Sequence, residues 1–276
     1  MQSHVNSIIP GFRLTLGFTL FYLMLIVIIP LAGLFVKVAH LNWHEFSAAV
    51  FNPRVVSAYR VTFLVSFLAA LVNVVFGFIV AWVLVRYKMP FRKILDAMID
   101  LPFALPTAVA GIALSALCEP KGLIGKLFVD YGIKLAFNPT GIAIALVFVG
   151  LPFVVRIVEP VLQDMERETE EAAASLGATR FQVFTRVILP HVTPALLTGF
   201  AMAFARGLGE YGSVVFIAGN IPLVSEIVPL IIITRLEQYD YNGASAIAVT
   251  MLLVSFAMLL LINLLQKYLE GGRRVR

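Results

Sequence analysis

Charged side chains withdraw from four long stretches of the chain: residues 14–36, 61–85, 135–155 and 241–266 contain no Asp, Glu, Lys or Arg. Each can supply the roughly 20 apolar residues that a helix needs to cross a bilayer. Two further stretches are weaker. Residues 101–118, LPFALPTAVAGIALSALC, are uncharged but broken by Pro102 and Pro106, and a run from about 193 to 218 carries Arg206 and Glu210 inside it. The pattern predicts six spans. The first follows Arg13 as the apolar part of a signal peptide would, but it is longer than such a region and lacks a small-x-small cleavage site, so it is expected to stay as a helix.

Composition supports this reading. Of 276 residues, 60% are hydrophobic and 13% charged, a balance expected where lipid replaces water as the solvent. The basic residues then orient the spans. Arg13; Arg86, Lys88, Arg92 and Lys93; Arg156, Arg167, Arg180 and Arg186; and Lys267, Arg273, Arg274 and Arg276 fall on one side, thirteen in all. Seven, Lys37, Arg54, Arg60, Lys121, Lys126, Lys134 and Arg235, fall on the other. The connections are short, so the positive-inside rule applies and places both termini in the cytoplasm. The net charge of +5 needs no nucleic acid partner, because basic edges facing anionic membrane lipid account for it. Cys118 is the single cysteine, which excludes an internal disulfide and a cysteine-based metal cluster.

The longest connection on the cytoplasmic side, 156–192, has its own plan. Glu166, Glu168, Glu170 and Glu171 crowd the start of a helix, where acidic groups favour the positive end of its dipole. Gly177 sits where a helix commonly stops. Thr179 and Gln182 fit a capping box opening a second helix, which Pro190 is expected to end. Phe181, Phe184, Val187 and Ile188 recur on it at helical spacing. The result is a helix, a glycine turn and a second helix outside the bilayer. Ala172, Ala173 and Leu176 give the first helix a small-residue face that a partner could approach closely. The alternative is an amphipathic hairpin lying on the lipid headgroups.

The spacing Glu171-Ala172-Ala173, three residues, Gly177, nine residues, Val187, one residue, Leu189-Pro190 resembles the EAA signature of ABC importer permeases, with Val187 where that family carries Ile. The resemblance implies a coupling helix that seats in a groove of a cytoplasmic ATP-binding subunit dimer and carries ATP-driven closure to the membrane helices. The chain itself has no GxxxxGK[ST] loop: GLIGKL at 122–127 has the wrong spacing. It also has no HExxH or GxSxG, and His4, His40, His44 and His191 have no catalytic setting. It is expected to be a non-catalytic subunit that binds no cofactor, with ATP and magnesium on the partner ATPase. DLPFALPTAVAG (100–111), LPFVVRIVEPVL (151–162), GLGEYGSVVFIAGNIP (207–222) and YDYNGASAIAV (239–249) further resemble the T-type permeases of sulfate and thiosulfate importers. That resemblance spans nearly the whole chain. It implies a second permease of the W type, a periplasmic sulfate- and thiosulfate-binding protein, and sulfate import into the cytoplasm.

Two places suit a gate or path. A helix restarting after Pro106 would aim the free N–H groups of Thr107, Ala108 and Val109 at an anion, although a proline-kinked packing helix with small residues at Ala104, Ala108, Gly111 and Ser115 would give the same pattern. Arg206 and Glu210 share a helix face and can pair. A lone charge at mid-bilayer costs about 2.5 to 3.5 kcal/mol, so both should face a bundle interior or cavity, as a structural ion pair or as a switching element. Residue chemistry does not separate sulfate from another oxyanion such as molybdate.

The expected molecule is an all-α, six-helix inner-membrane permease. Residues 1–58 hold the N-terminal tail, a first helix that wraps a neighbour and a periplasmic loop; 59–266 form the importer core, with coupling helices at 164–190; 267–276 are a basic cytoplasmic tail. A secondary carrier or an uncoupled channel are the competing classes. A carrier built on inverted repeats should show matched broken helices in its two halves, and the Pro-rich and charged spans do not match.

Overall fold

The computed structural model describes residues 12–271. Among them every regular element is helical. The first span, α1 (Leu14–Ala39), is followed by α2 (Trp43–Val50) and by α3 (Pro53–Arg86). The broken span consists of α4 (Arg92–Ala104) and α5 (Thr107–Cys118), and α6 (Lys126–Val129) is a single turn. Then come α7 (Pro139–Asp164), α8 (Arg167–Ser175) and α9 (Arg180–Leu208). The chain closes with α10 (Val214–Ile217), α11 (Val228–Glu237) and α12 (Tyr241–Gly271). Five of these are long and apolar enough to cross a membrane, and α4 with α5 makes a sixth if the bent pair is one span.

The centre is a three-helix junction of α3, α7 and α9. Local signals start its first two members. Asn52 accepts a hydrogen bond from the Arg54 N–H (3.0 Å) and Asn138 from the Gly141 N–H (3.1 Å), and a proline follows each cap, the position where its missing N–H costs least. Val154, Val155 and Val158 of α7 are buried together with Ala81 and Leu84 of α3 and Phe204 of α9. In α7 the helix runs past the uncharged stretch to Asp164, carrying Arg156 and Glu159 with it. Helix α12 packs on α9 and α11, and α10 on α5. Helix α1 contributes no buried residue among those described; its final turns meet α12, where the Lys37 ammonium stands 4.8 Å from the Tyr241 ring centre.

Two expectations are corrected. Pro190 does not end the second helix of the polar connection: α9 runs unbroken from Arg180 to Leu208, so that helix and the fifth span are one. A π-helical turn at Phe184–Ile188 explains the difference. The Leu189 N–H donates to the Phe184 carbonyl five residues back, and this local widening relaxes the i−4 crowding by which a proline ring breaks a regular helix. The fifth span also ends earlier than 218. Beyond Leu208 lies a turn through Gly209 and Glu210, then α10 and α11. Glu210 is therefore outside the helix that holds Arg206.

Candidate functional site

The hairpin begins where Met165 and Glu166 leave α7 in extended conformation. Helix α8 carries Glu168 and Glu170 in its first turn. It ends in a Schellman motif: the Gly177 N–H donates to Ala174 (2.9 Å), and the Ala178 N–H to Ala173 (3.1 Å). Gly177 has φ +85°, a conformation that glycine adopts without steric cost. A Cβ there would meet nothing within 4 Å. The requirement is thus for backbone shape, and the outer side is left open. Thr179 accepts from the Gln182 N–H and Gln182 from the Thr179 N–H (2.8 Å), the capping box that starts α9.

Glu171, Ala172 and Gly177 are exposed and Ala173 is half-buried. Leu176 is 90% exposed at the tip and Phe181 75%. Leu189 is marginally exposed and Pro190 half-buried on α9. The signature residues are thus split. Ala173 turns toward the bundle with Ala178, Phe184 and Val187, whereas Ala172 and Leu176 look away from it. Between the hairpin and the end of α7 lies a hollow of about 440 Å³ lined by residues that include Asp164, Glu166, Arg186 and His191.

The second group of candidates forms a single unit. Pro102 lies inside α4, Leu105 is extended, and Pro106 caps α5, which leaves α4 at 112°. Proline disfavours helical conformation in the residue before it, which sets the break at Leu105. Arg206 pairs with Glu210 at 2.6 Å, and the other Glu210 oxygen accepts from the Ser213 N–H and hydroxyl, both 2.9 Å. Ser213 in turn lies on α5: a Cβ on Gly111 would stand 2.4 Å from the Ser213 carbonyl oxygen, and one on Gly212 would stand 2.1 Å from the Thr107 hydroxyl. The turn that Glu210 organises therefore lies directly over the first turn of α5. Thr107 and Ala108 are half-buried beneath it and Val109 is exposed. Thr107 and the Arg206–Glu210 pair, read separately from the sequence, share one assembly.

One cluster escaped sequence reasoning. Arg156 donates to both Asp100 oxygens (2.9 and 2.7 Å), to Glu159 (2.7 Å) and to Asp96 (3.4 Å). Buried Glu159 also accepts from Gln163 (3.1 Å). The spacing of Asp96 and Asp100 on α4 hinted at a shared face; nothing local marked its partner on α7. A second such contact joins the Arg86 guanidinium to the Glu170 carboxylate. Among the described residues, no group of three or more His, Cys, Asp or Glu is placed to hold a metal ion.

Comparison with known proteins gives this arrangement its context. The chain is 47% identical over 270 residues to the sulfate transport system permease protein CysT of Salmonella typhimurium, covering 98% of this chain and 97% of that protein. It is 52% identical over 256 residues to the CysT permease of Synechocystis, covering 93% and 88%. In fold it matches a bacterial ABC transporter that imports the acidic polysaccharide alginate, with a TM-score of 0.77 at 16% identity over 94% of this chain and 96% of that one. It also matches the MetNI methionine ABC transporter in an inward-facing conformation, TM-score 0.60 at 16% identity over 78% and 96%. At that identity the likeness concerns the fold, which is that of ABC-importer membrane subunits. Residues 73–275 match the family described as binding-protein-dependent transport system inner membrane component. The chain belongs to that family: it is a multi-pass, non-catalytic inner-membrane component of a transport system that works with a binding protein.

Proposed function

We propose that this chain is the T-type permease subunit of an ATP-driven importer that carries sulfate, and thiosulfate with it, into the cytoplasm. The observation that carries the substrate is the similarity to sulfate permeases along almost the whole chain. In this reading both termini are cytoplasmic. The chain pairs with a W-type permease and receives its cargo from a periplasmic sulfate- and thiosulfate-binding protein, while an ATPase dimer holding ATP and magnesium seats against α8. Glu171, Ala172, Ala173, Gly177, Leu189 and Pro190 shape that seat. Pro102, Pro106, Thr107, Arg206 and Glu210 serve the path or its gate. Recognition is left to the binding protein, since passage requires contacts weak enough to release the anion.

The test is ATP hydrolysis by the reconstituted complex in the presence of the binding protein and a panel of oxyanions. Stimulation by sulfate and thiosulfate is expected; stimulation by molybdate alone would reassign the cargo. Replacing Gly177 with Trp should abolish copurification of the ATPase. A carrier without ATP coupling would be indifferent to that change.

A further inference from the structure

We infer that Arg86 is a positioning residue for the coupling helix: its ion pair with Glu170 fastens α8 to the cytoplasmic end of α3, so that a push on α8 moves the three-helix junction instead of pivoting the hairpin. The inference rests on the coupling role proposed above for α8 and assigns the route by which force leaves it. Helix α8 has nine residues and none is buried. Buried Met165 anchors the extended connection at one end and Ala173 packs beside Ala178 near the Gly177 turn at the other, and the ion pair at Glu170 ties the helix directly to α3. Glu170 lies in the first turn of α8, far from the Gly177 end, and the Arg86 guanidinium reaches it from the last turn of α3.

The arginine is held in place. Its side chain is 11% exposed and its charged carbon stands 5.4 Å from the Trp82 ring centre. Trp82 and Phe78, one turn earlier on α3, pack against Phe184 at 6.3 and 6.0 Å between ring centres. Phe184 opens the π-helical turn of α9. The hairpin therefore has two attachments to α3, an ionic one through α8 and an aromatic one through α9. The Arg86 Nε is buried without a hydrogen-bond partner, which leaves Glu170 as the carboxylate that fixes this side chain. A delocalised cation over an aromatic ring that also binds a carboxylate through a rigid fork of donors is chemistry that lysine does not reproduce.

The full complex, with both permeases, the ATPase dimer and sulfate-loaded binding protein, is reconstituted in proteoliposomes, and labelled sulfate taken up per ATP hydrolysed is measured. For Glu170→Gln, which keeps the side-chain shape, and for Arg86→Gln, that ratio should fall at least fivefold while the ATPase still copurifies. The exchanged pair Arg86→Glu with Glu170→Arg should recover at least half of it. A ratio within twofold of wild type for Glu170→Gln overturns the inference. So does loss of the ATPase from that variant, which would make the pair a seat for docking and not a transmitter. Gly177→Trp separates the two readings. If it leaves ATPase capture and uptake unchanged, the coupling role itself fails; if it abolishes capture while Glu170→Gln transports at the normal ratio, only the role of Arg86 falls.

Discussion

The Glu210 carboxylate is 1% exposed, whereas its partner Arg206 is 34% exposed, and this asymmetry decides what each substitution should do. Arg206→Ala leaves a buried carboxylate with only the two Ser213 donors, a situation that costs about 3 kcal/mol when one member of a buried pair is removed. Glu210→Ala leaves a guanidinium that is one-third exposed and not sealed in the core, and loses the two hydrogen bonds that shape the turn. Thermal unfolding in detergent should therefore show Arg206→Ala to be the more damaging, with the double alanine variant more stable than Arg206→Ala alone. Gly111→Ala is a second case. Its added methyl would press on the Ser213 backbone at 2.4 Å, which cannot rotate away as a side chain could, so a loss of about 1 to 3 kcal/mol is expected. The same change at Gly17, with nothing within 4 Å, should be neutral.

Among the elements, features written in consecutive residues were legible and features that join distant ones were not. The glycine stop at Gly177 and the capping box at Thr179 depend on three or four neighbouring residues and were read correctly, as was the break at Pro106. The fate of Pro190 depended on a π-helical turn that no local rule announces. Arg86 and Glu170 are 84 positions apart, and Arg156 and Asp100 are 56 apart; Arg86 and Arg156 count in the sequence only as basic residues flanking spans, and Glu170 only as one of the acidic residues opening a helix. The turn from Gly209 to Ser213 falls inside the run predicted as the fifth span because apolar residues resume at Val214 beyond it, although Gly207, Gly209 and Gly212 allow a bend there. The π-helical turn carries its own prediction. Deleting Thr185 would return the segment to a regular helix, in which the Pro190 ring again crowds the carbonyl four residues back and kinks α9 below the hairpin. Phe184 should then leave Trp82, which a change in tryptophan fluorescence would report, and ATPase copurification should fall.

For the whole molecule, the orientation inferred from basic residues can be tested at the most exposed point of the hairpin. In a Cys118→Ala background, a Leu176→Cys variant should react with a membrane-impermeant maleimide in inside-out vesicles but not in right-side-out ones. Bound ATPase should protect it. Labelling from the opposite side would invert the topology. The native Cys118 is 3% exposed, so it should stay unreactive until the chain unfolds.

The junction of α3 and α7 has no polar fastening at its midpoint. Asn73 of α3 is buried against Gly150 of α7, and neither its amide oxygen nor its nitrogen has a partner; the Ser66 hydroxyl on the same helix has none either. The side-chain bonds of α3 to other helices and loops lie toward its two ends: Arg54 to Glu226, Ser57 to Leu223, Tyr59 to Ile247 and Thr62 to Val228 at one, Arg86 to Glu170 at the other. Among the described residues the middle is joined by shape alone. Helices seated this way can shear past one another without breaking a hydrogen bond, while the ends of α3 stay tied to the segments around Glu226, Val228 and Glu170.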